Sequence, residues 1–400
     1  MNGLASSRLA LGFSSAGHSF AHLLMLLYPT VVLSLEGAWD MPFSDLITLM
    51  LAGQVLFGVM AIPAGWLGDR WSAPGMMTVF FIGTGGACVA TGFAEGPLSM
   101  AVGLAGIGFF AAIYHPVGIA WVTRSPILRG RALGINGVFG SLGTAGGAVV
   151  AGSLATWFGW QWAFFVPGAI CVAVGIGLLA AILLGAADDP HEEARAAPHE
   201  SSRGDMMRGG LVLLSTIALS GMVYQSTSFA MPKLFDQRLD GVVDTAAGIG
   251  VLVSVVYGVS ALAQLVGGWL ADRYDPKRVY ALFWVLQVPF LLLAAGLVGP
   301  VLVPVAAFMV LTNTILVPAE NSLFARFTPP AWRGTAFGVK FLVSLGVSAA
   351  SVPLVAEMFR FSGDFHIMLY VLAGFALAGG VAALALPSRG AVMPVAQPAE

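Results

Sequence analysis

Gly65-Trp66-Leu67-Gly68-Asp69-Arg70 and Gly268-Trp269-Leu270-Ala271-Asp272-Arg273 are two copies of one hexapeptide, 203 residues apart. The same offset, within one residue, relates Arg129-Gly130-Arg131-Ala132-Leu133-Gly134 to Arg333-Gly334-Thr335-Ala336-Phe337-Gly338, and Pro29 to Pro232. Three correspondences at one offset define an internal repeat of half the chain. Each copy of the hexapeptide closes an apolar run of membrane-spanning length. Working outward from the first copy, such runs lie at 9–35, 45–67, 74–94, 97–122, 132–156 and 163–185. Around the second they lie at 209–235, 245–270, 278–297, 301–324, 335–358 and 365–386. At about 20 apolar residues per span, this predicts an all-α polytopic membrane protein with twelve helices in two six-helix bundles. Six is an even number, so both halves enter the bilayer from the same side.

Composition agrees. Of 400 residues, 58% are hydrophobic and 10% charged, with net charge −2 and mean hydropathy +0.88. A soluble domain carries about 25% charged residues, so a cytosolic enzyme, a nucleic-acid binder and a disordered scaffold are excluded. Cys88 and Cys171 fall in apolar stretches and match no disulfide framework or CxxC site. The expected units are an N-terminal bundle (1–185), a polar linker (186–208), a C-terminal bundle (209–386) and a tail (387–400). The linker histidines His191 and His199 read as solvated polarity. With both termini inside, fourteen Lys and Arg residues collect on the inner side and three, Lys233, Arg238 and Arg360, on the outer. That asymmetry predicts cytoplasmic termini. The first run is too long to be a cleaved leader.

The stretch from Gly268 to Asp272-Arg273-Tyr274-Asp275-Pro276-Lys277-Arg278 resembles the loop signature of the major facilitator superfamily. Its copy at 65–70 lacks the trailing basic residues, since Trp71-Ser72-Ala73-Pro74 follow. The glycine-rich run from Gly134 to Gly147 is similar to that family too, without the Gly-Pro step of many of its proton-driven drug exporters; Thr144 and Ala145 stand there. Tyr114-His115-Pro116 and the His22…Tyr28-Pro29 segment resemble the fosmidomycin-resistance branch, whose members are efflux proteins. The resemblance implies a secondary transporter with spans 1, 4, 7 and 10 around a central cavity.

An ionisable side chain inside the bilayer costs about 2.5–3.5 kcal/mol on insertion scales, so each one points to a cavity or a partner. His18 and His22 are four residues apart, on one helical face. His115 lies nine residues before Arg124, about 13 Å into span 4, a depth similar to that of His18. The resemblance would bring all three to one wall. They suit proton coupling or an anionic substrate; alternatively each is a neutral histidine bonded to a neighbour, or the three form a transition-metal site. Glu320-Asn321 precedes Arg326 by six residues, and Lys340 follows Arg333 by seven. Matched depth on adjacent spans predicts that Glu320 and Lys340 pair, as a permanent bridge or as one that opens on protonation or substrate binding. Tyr224, Gln225 and Asn313 are further ligand candidates, though such groups also join helices in any bundle.

By the same resemblance Asp69, Arg70, Arg129, Asp272, Arg273 and Arg333 form an inner gate; simple helix capping is the alternative. No GxxxxGK[ST] loop or nucleophile triad occurs, so neither ATP-driven pumping nor enzymatic chemistry is expected, and no cofactor or resident metal is assigned. The expected function is secondary active transport of a small organic solute, by symport or antiport with protons. Efflux is the first reading, uptake of a small carboxylate or other anion the second, and metal-ion transport the third. The expected setting is the bilayer of a cell inner membrane, as a monomer.

Overall fold

The structure is a computed structural model that describes residues 3–123, 129–187, 203–328 and 333–387. Every element among them is helical, as a bilayer demands of a backbone that must satisfy its own polar groups. The N-terminal half comprises α1 (Gly3–Leu26), α2 (Tyr28–Trp39), α3 (Phe43–Thr48), α4 (Leu51–Val59), α5 (Ala61–Arg70), α6 (Ala73–Thr91) and α7 (Pro97–Ala111). A π-helical turn, Tyr114–Gly118, leads into α8 (Ile119–Thr123), α9 (Arg129–Phe158) and α10 (Trp162–Leu183). The C-terminal half comprises α11 (Arg203–Arg238), α12 (Ala246–Arg273), α13 (Pro276–Gly296), α14 (Leu302–Arg326), α15 (Arg333–Ser348), α16 (Ser351–Ser362) and α17 (His366–Leu384).

These elements build the twelve spans that the apolar runs predict. Eleven helical segments among the described residues are long and apolar enough to cross a membrane. The remaining span, α15 with α16, is broken at Ala349-Ala350. Pro353 has no N–H to offer the Ala349 carbonyl. The chain fills the gap with tighter bonds, Ala350 N to Val347 O at 2.9 Å and Val352 N to Ala349 O at 3.1 Å. Pro29 near the start of α2 and Pro116 within the π turn accompany similar interruptions in spans 1 and 4. Outward-facing Leu262, Leu265, Leu183 and Leu384 are exposed, an apolar exterior suited to lipid.

Within the N-terminal half α1 packs on α9, and α6 on α7 and α10; within the C-terminal half α14 packs on α12 and α13, and α13 on α17. Among the described residues the halves meet along three seams. The tightest runs between α9 and α12, where a Cβ on Gly250 would stand 2.4 Å from the Ala148 carbonyl oxygen and one on Gly152 2.1 Å from that of Ala246. The two backbones touch there, and Ser254 Oγ donates to the Ala145 carbonyl while accepting from Val149 N. The second seam sets α15 and α16 against α4 and α3, and the third sets α11 against α2.

Candidate functional site

A cavity of about 310 Å³ lies between the halves, lined from α1, the π turn and α9 on one side and from α11, α12, α14 and α15 on the other. His18, His22, His115, Tyr224, Gln225, Asn313, Glu320, Asn321 and Lys340 all line it. The structure therefore brings every substrate or coupling candidate named from sequence to one chamber.

On the N-terminal wall the three imidazoles cluster, with ring centroids 5.0 Å apart for His18–His22 and 5.5 Å for each of these to His115. The π turn carries His115 on a segment where Pro116 has already interrupted the regular ladder. The His18 ring lies between Tyr114, stacked at 4.8 Å, and Gly140, where an added Cβ would stand 2.5 Å from Cε1 and Nε2. Only glycine leaves room for the ring. Behind it runs a hydrogen-bond network whose polarity can be deduced. The Gly118 carbonyl only accepts, so Ser14 Oγ donates to it, at 2.8 Å. Ser14 Oγ must then accept from Asn136 Nδ2, at 3.2 Å. That orients Asn136 with Oδ1 toward Tyr114 Oη (3.0 Å) and His18 Nδ1 (2.9 Å). His18 Nδ1 also lies 2.8 Å from the Asn136 carbonyl oxygen. Two acceptors at one ring nitrogen place the proton on Nδ1 and leave the lone pair of a neutral ring on Nε2.

On the C-terminal wall Lys340 Nζ lies 2.8 Å from Glu320 Oε1, and both side chains are buried. Lys340 also donates to Asn321 Oδ1 and stands 5.9 Å from the centre of the Phe324 ring. Tyr280 Oη lies 3.1 Å from Glu320 Oε2 and 2.8 Å from Thr216 Oγ1, which reaches the Val212 and Leu213 carbonyls at 3.0 Å. Asn313 Nδ2 donates to Ser220, and Gln264 Nε2 on α12 donates across the cavity to Ser141 on α9.

The gate candidates lie elsewhere. Asp69, Arg70, Asp272 and Arg273 are exposed at the ends of α5 and α12; the side chains of Arg129 and Arg333 lie outside the described residues, as does the linker from 188 to 202. Capping falls to neighbours: Ser72 Oγ accepts from Gly75 N, and Asp275 Oδ1 from Lys277 N. The opposite end carries ion pairs that sequence reasoning missed. Lys233 on α11 bonds Glu36 on α2 at 2.8 Å, and Arg360 on α16 bonds Asp45 on α3 at 2.8 Å, each joining the two halves. Phe43 adds ring contacts to Phe359 and Phe365 at 4.9 and 5.8 Å. Alongside, Arg238 holds Asp364 with two oxygens at 2.7–2.9 Å. Burial raises the Asp364 carboxyl, but the Arg238 and Phe365 N–H donors outweigh it and hold it below the ordinary carboxylate range. Acidic residues at or between helix ends share no register with their basic partners, and only lone Asn136 amid the span 5 glycines was a readable signal for the histidine network.

A sequence profile of the Major Facilitator Superfamily matches residues 9–257 and 241–399. The chain belongs to this superfamily. An uncharacterized transporter of that type from Mycobacterium tuberculosis is 24% identical over 242 residues, 58% of this chain and 52% of that one. A Na(+), Li(+), K(+)/H(+) antiporter of Planococcus maritimus is 28% identical over 163 residues, 39% of this chain and 38% of that one. A puromycin resistance protein of Streptomyces alboniger is 29% identical over 168 residues, 40% of this chain and 33% of that one. The matches thus span about half the length of these curated relatives or less. Among solved structures, a bacterial homolog of the human lysosomal transporter Spinster, inward-facing and unoccupied, superimposes with a TM-score of 0.72 at 12% identity, covering 95% of both chains. The protein is therefore a multi-pass membrane protein of the major facilitator superfamily.

Proposed function

We propose that the chain is a proton-coupled secondary transporter that exports a small organic solute by alternating access, with Glu320 as the coupling carboxylate. The observation that carries this is the buried Glu320–Lys340 pair on the cavity wall, ending a chain of hydroxyls. Tyr280 Oη has one proton and two acceptors. With Glu320 ionised, Tyr280 donates to Oε2, and the Thr216 hydroxyl turns toward Tyr280. With Glu320 protonated, the direction reverses: Glu320 donates to Tyr280, Tyr280 to Thr216, and Thr216 to the Val212 and Leu213 carbonyls. Each protonation state has a fully bonded arrangement, so the proton is taken up without stranding a buried polar group. Protonation also cancels the attraction that holds Lys340, releasing it toward the cavity.

Export is favoured by the likeness of Tyr114-His115-Pro116 to the fosmidomycin-resistance branch and by the puromycin-resistance relative; the antiporter relative favours proton exchange. Lys340 in the wall favours a second reading, uptake of a small carboxylate. Either way we place the chain as a monomer in a cell inner membrane with both termini cytoplasmic, on the distribution of Lys and Arg. Asp69, Arg70, Asp272 and Arg273 then mark the cytoplasmic end, with Arg129 and Arg333, and the Glu36–Lys233 and Asp45–Arg360 pairs close the outer end. The test is transport by purified protein in liposomes under an imposed pH gradient with a panel of compounds. Glu320→Gln should abolish gradient-driven accumulation while sparing solute exchange. Accumulation at wild-type level in that variant, at equal reconstitution, overturns the coupling role.

A further inference from the structure

We infer that His18, His22 and His115 form a binding site for one divalent transition-metal ion in the N-terminal wall of the cavity. The three residues each place one imidazole nitrogen so that all lie within 4.8 Å of one another. Tetrahedral coordination at 2.0–2.1 Å requires separations of about 3.4 Å, a closure within reach of small χ rotations. All three rings border the cavity, which leaves the fourth coordination position to water or to a donor atom on a solute.

What separates this cluster from packed histidines is the shell behind it. The Gly118 carbonyl fixes Ser14, Ser14 fixes Asn136, and Asn136 with its own carbonyl holds the proton on His18 Nδ1. That is the outer-shell arrangement that fixes a ligating imidazole's tautomer. Tyr114 and Gly140 clamp the ring from its two faces. The donor set decides the ion class. Three imidazoles suit Zn²⁺, Ni²⁺, Co²⁺ or Cu²⁺, and offer nothing to Ca²⁺ or Mg²⁺, which take oxygen ligands. The site does not depend on the transport reading, and holds whether or not Glu320 carries a proton.

The test uses the purified full chain in detergent, stripped of metal, with Zn²⁺ in competition against a chromophoric chelator and Co²⁺ as spectroscopic probe. One Zn²⁺ per chain is expected, and Co²⁺ should give the intense visible bands of tetrahedral coordination. His22→Ala and His115→Gln should each weaken binding at least about a hundredfold, while His366→Ala, outside the cluster, leaves it unchanged. Gly140→Ala removes no ligand but displaces the His18 ring; it and Asn136→Ala should weaken binding about tenfold. No stoichiometric binding by the wild-type chain, a weak octahedral Co²⁺ spectrum, or binding that survives in His22→Ala overturns the site. The wild-type spectrum decides the matter even where a variant fails to fold.

Discussion

The two walls of the cavity are built from similar parts and behave oppositely. On the N-terminal wall, every hydrogen bond from Gly118 through Ser14 and Asn136 to His18 runs in one direction, because the chain starts at a carbonyl that only accepts. On the C-terminal wall, the chain from Thr216 through Tyr280 ends at Glu320, which accepts when ionised and donates when protonated. A network anchored on backbone has one polarity; a network that ends on a carboxylate has two. The first arrangement suits recognition and the second suits coupling.

The largest effect should come from breaking the switchable wall at its charge. Lys340→Ala leaves the Glu320 carboxylate buried and uncompensated, a loss of about 3–5 kcal/mol, read as a fall in Tm and in folded yield. Adding Glu320→Gln should recover most of it. A single variant as stable as wild type would show that the pair does not hold two charges together.

Removing the centre of each network sharpens the contrast. Asn136→Ala removes the acceptor of Tyr114 Oη and one of the two at His18 Nδ1, while Ser14 Oγ keeps the Gly118 carbonyl; it should cost about 1–3 kcal/mol, with the pH profile of transport unchanged. Tyr280→Phe strands little, since Thr216 keeps its carbonyl partners, and should cost about 1 kcal/mol. Its signature is a displaced pH profile of transport, because Glu320 loses the hydroxyl that bonds it in both states of the proposed switch. If both variants shift the profile alike, the walls do not differ in the way proposed.

The smallest effect compares the repeated hexapeptides. Arg70 lies over Trp66, 4.3 Å from the ring centre, whereas the corresponding Trp269 meets Tyr274 at 6.1 Å. Asp272→Asn should remove an ion pair that the gate makes when the inner side is closed, about 1 kcal/mol, which shifts a two-state equilibrium about fivefold. Inner-side cysteine labelling should therefore rise, and rise less for Asp69→Asn, whose loop lacks counterparts of Lys277 and Arg278. Unchanged labelling in Asp272→Asn would remove that carboxylate from the gate.

How much of this was readable beforehand follows from what carries the information. The repeat and the spans are one-dimensional properties, so the twelve-helix fold could be read from two hexapeptides and a run of hydropathy. Glu320 and Lys340 were pairable because depth along a helix can be counted from the membrane boundary. The break in span 11 has a local cause in Pro353, which went unread. Asn136, Tyr280 and Thr216 matter through side-chain partners 22 to 122 residues away in sequence, and no periodicity marks such residues. Glu36 near the end of α2 and Asp45 in the first turn of α3 are ordinary helix-end acids until the fold sets Lys233 and Arg360 beside them.

The seam between α9 and α12 has a mechanical consequence. Backbone rests on backbone at Gly152 and Gly250, so few side chains there must change rotamer when one half tilts against the other. Side chains that interlock resist sliding, because each must climb past its neighbour; bare backbones roll. This edge works as a bearing, its hydroxyl at Ser254 keeping the two helices from parting. The opposite edges, held by ion pairs and aromatic rings near the surface, are the latches that must release. Under the alternating access proposed above, the work of each cycle is spent at those latches, while the axis stays in place.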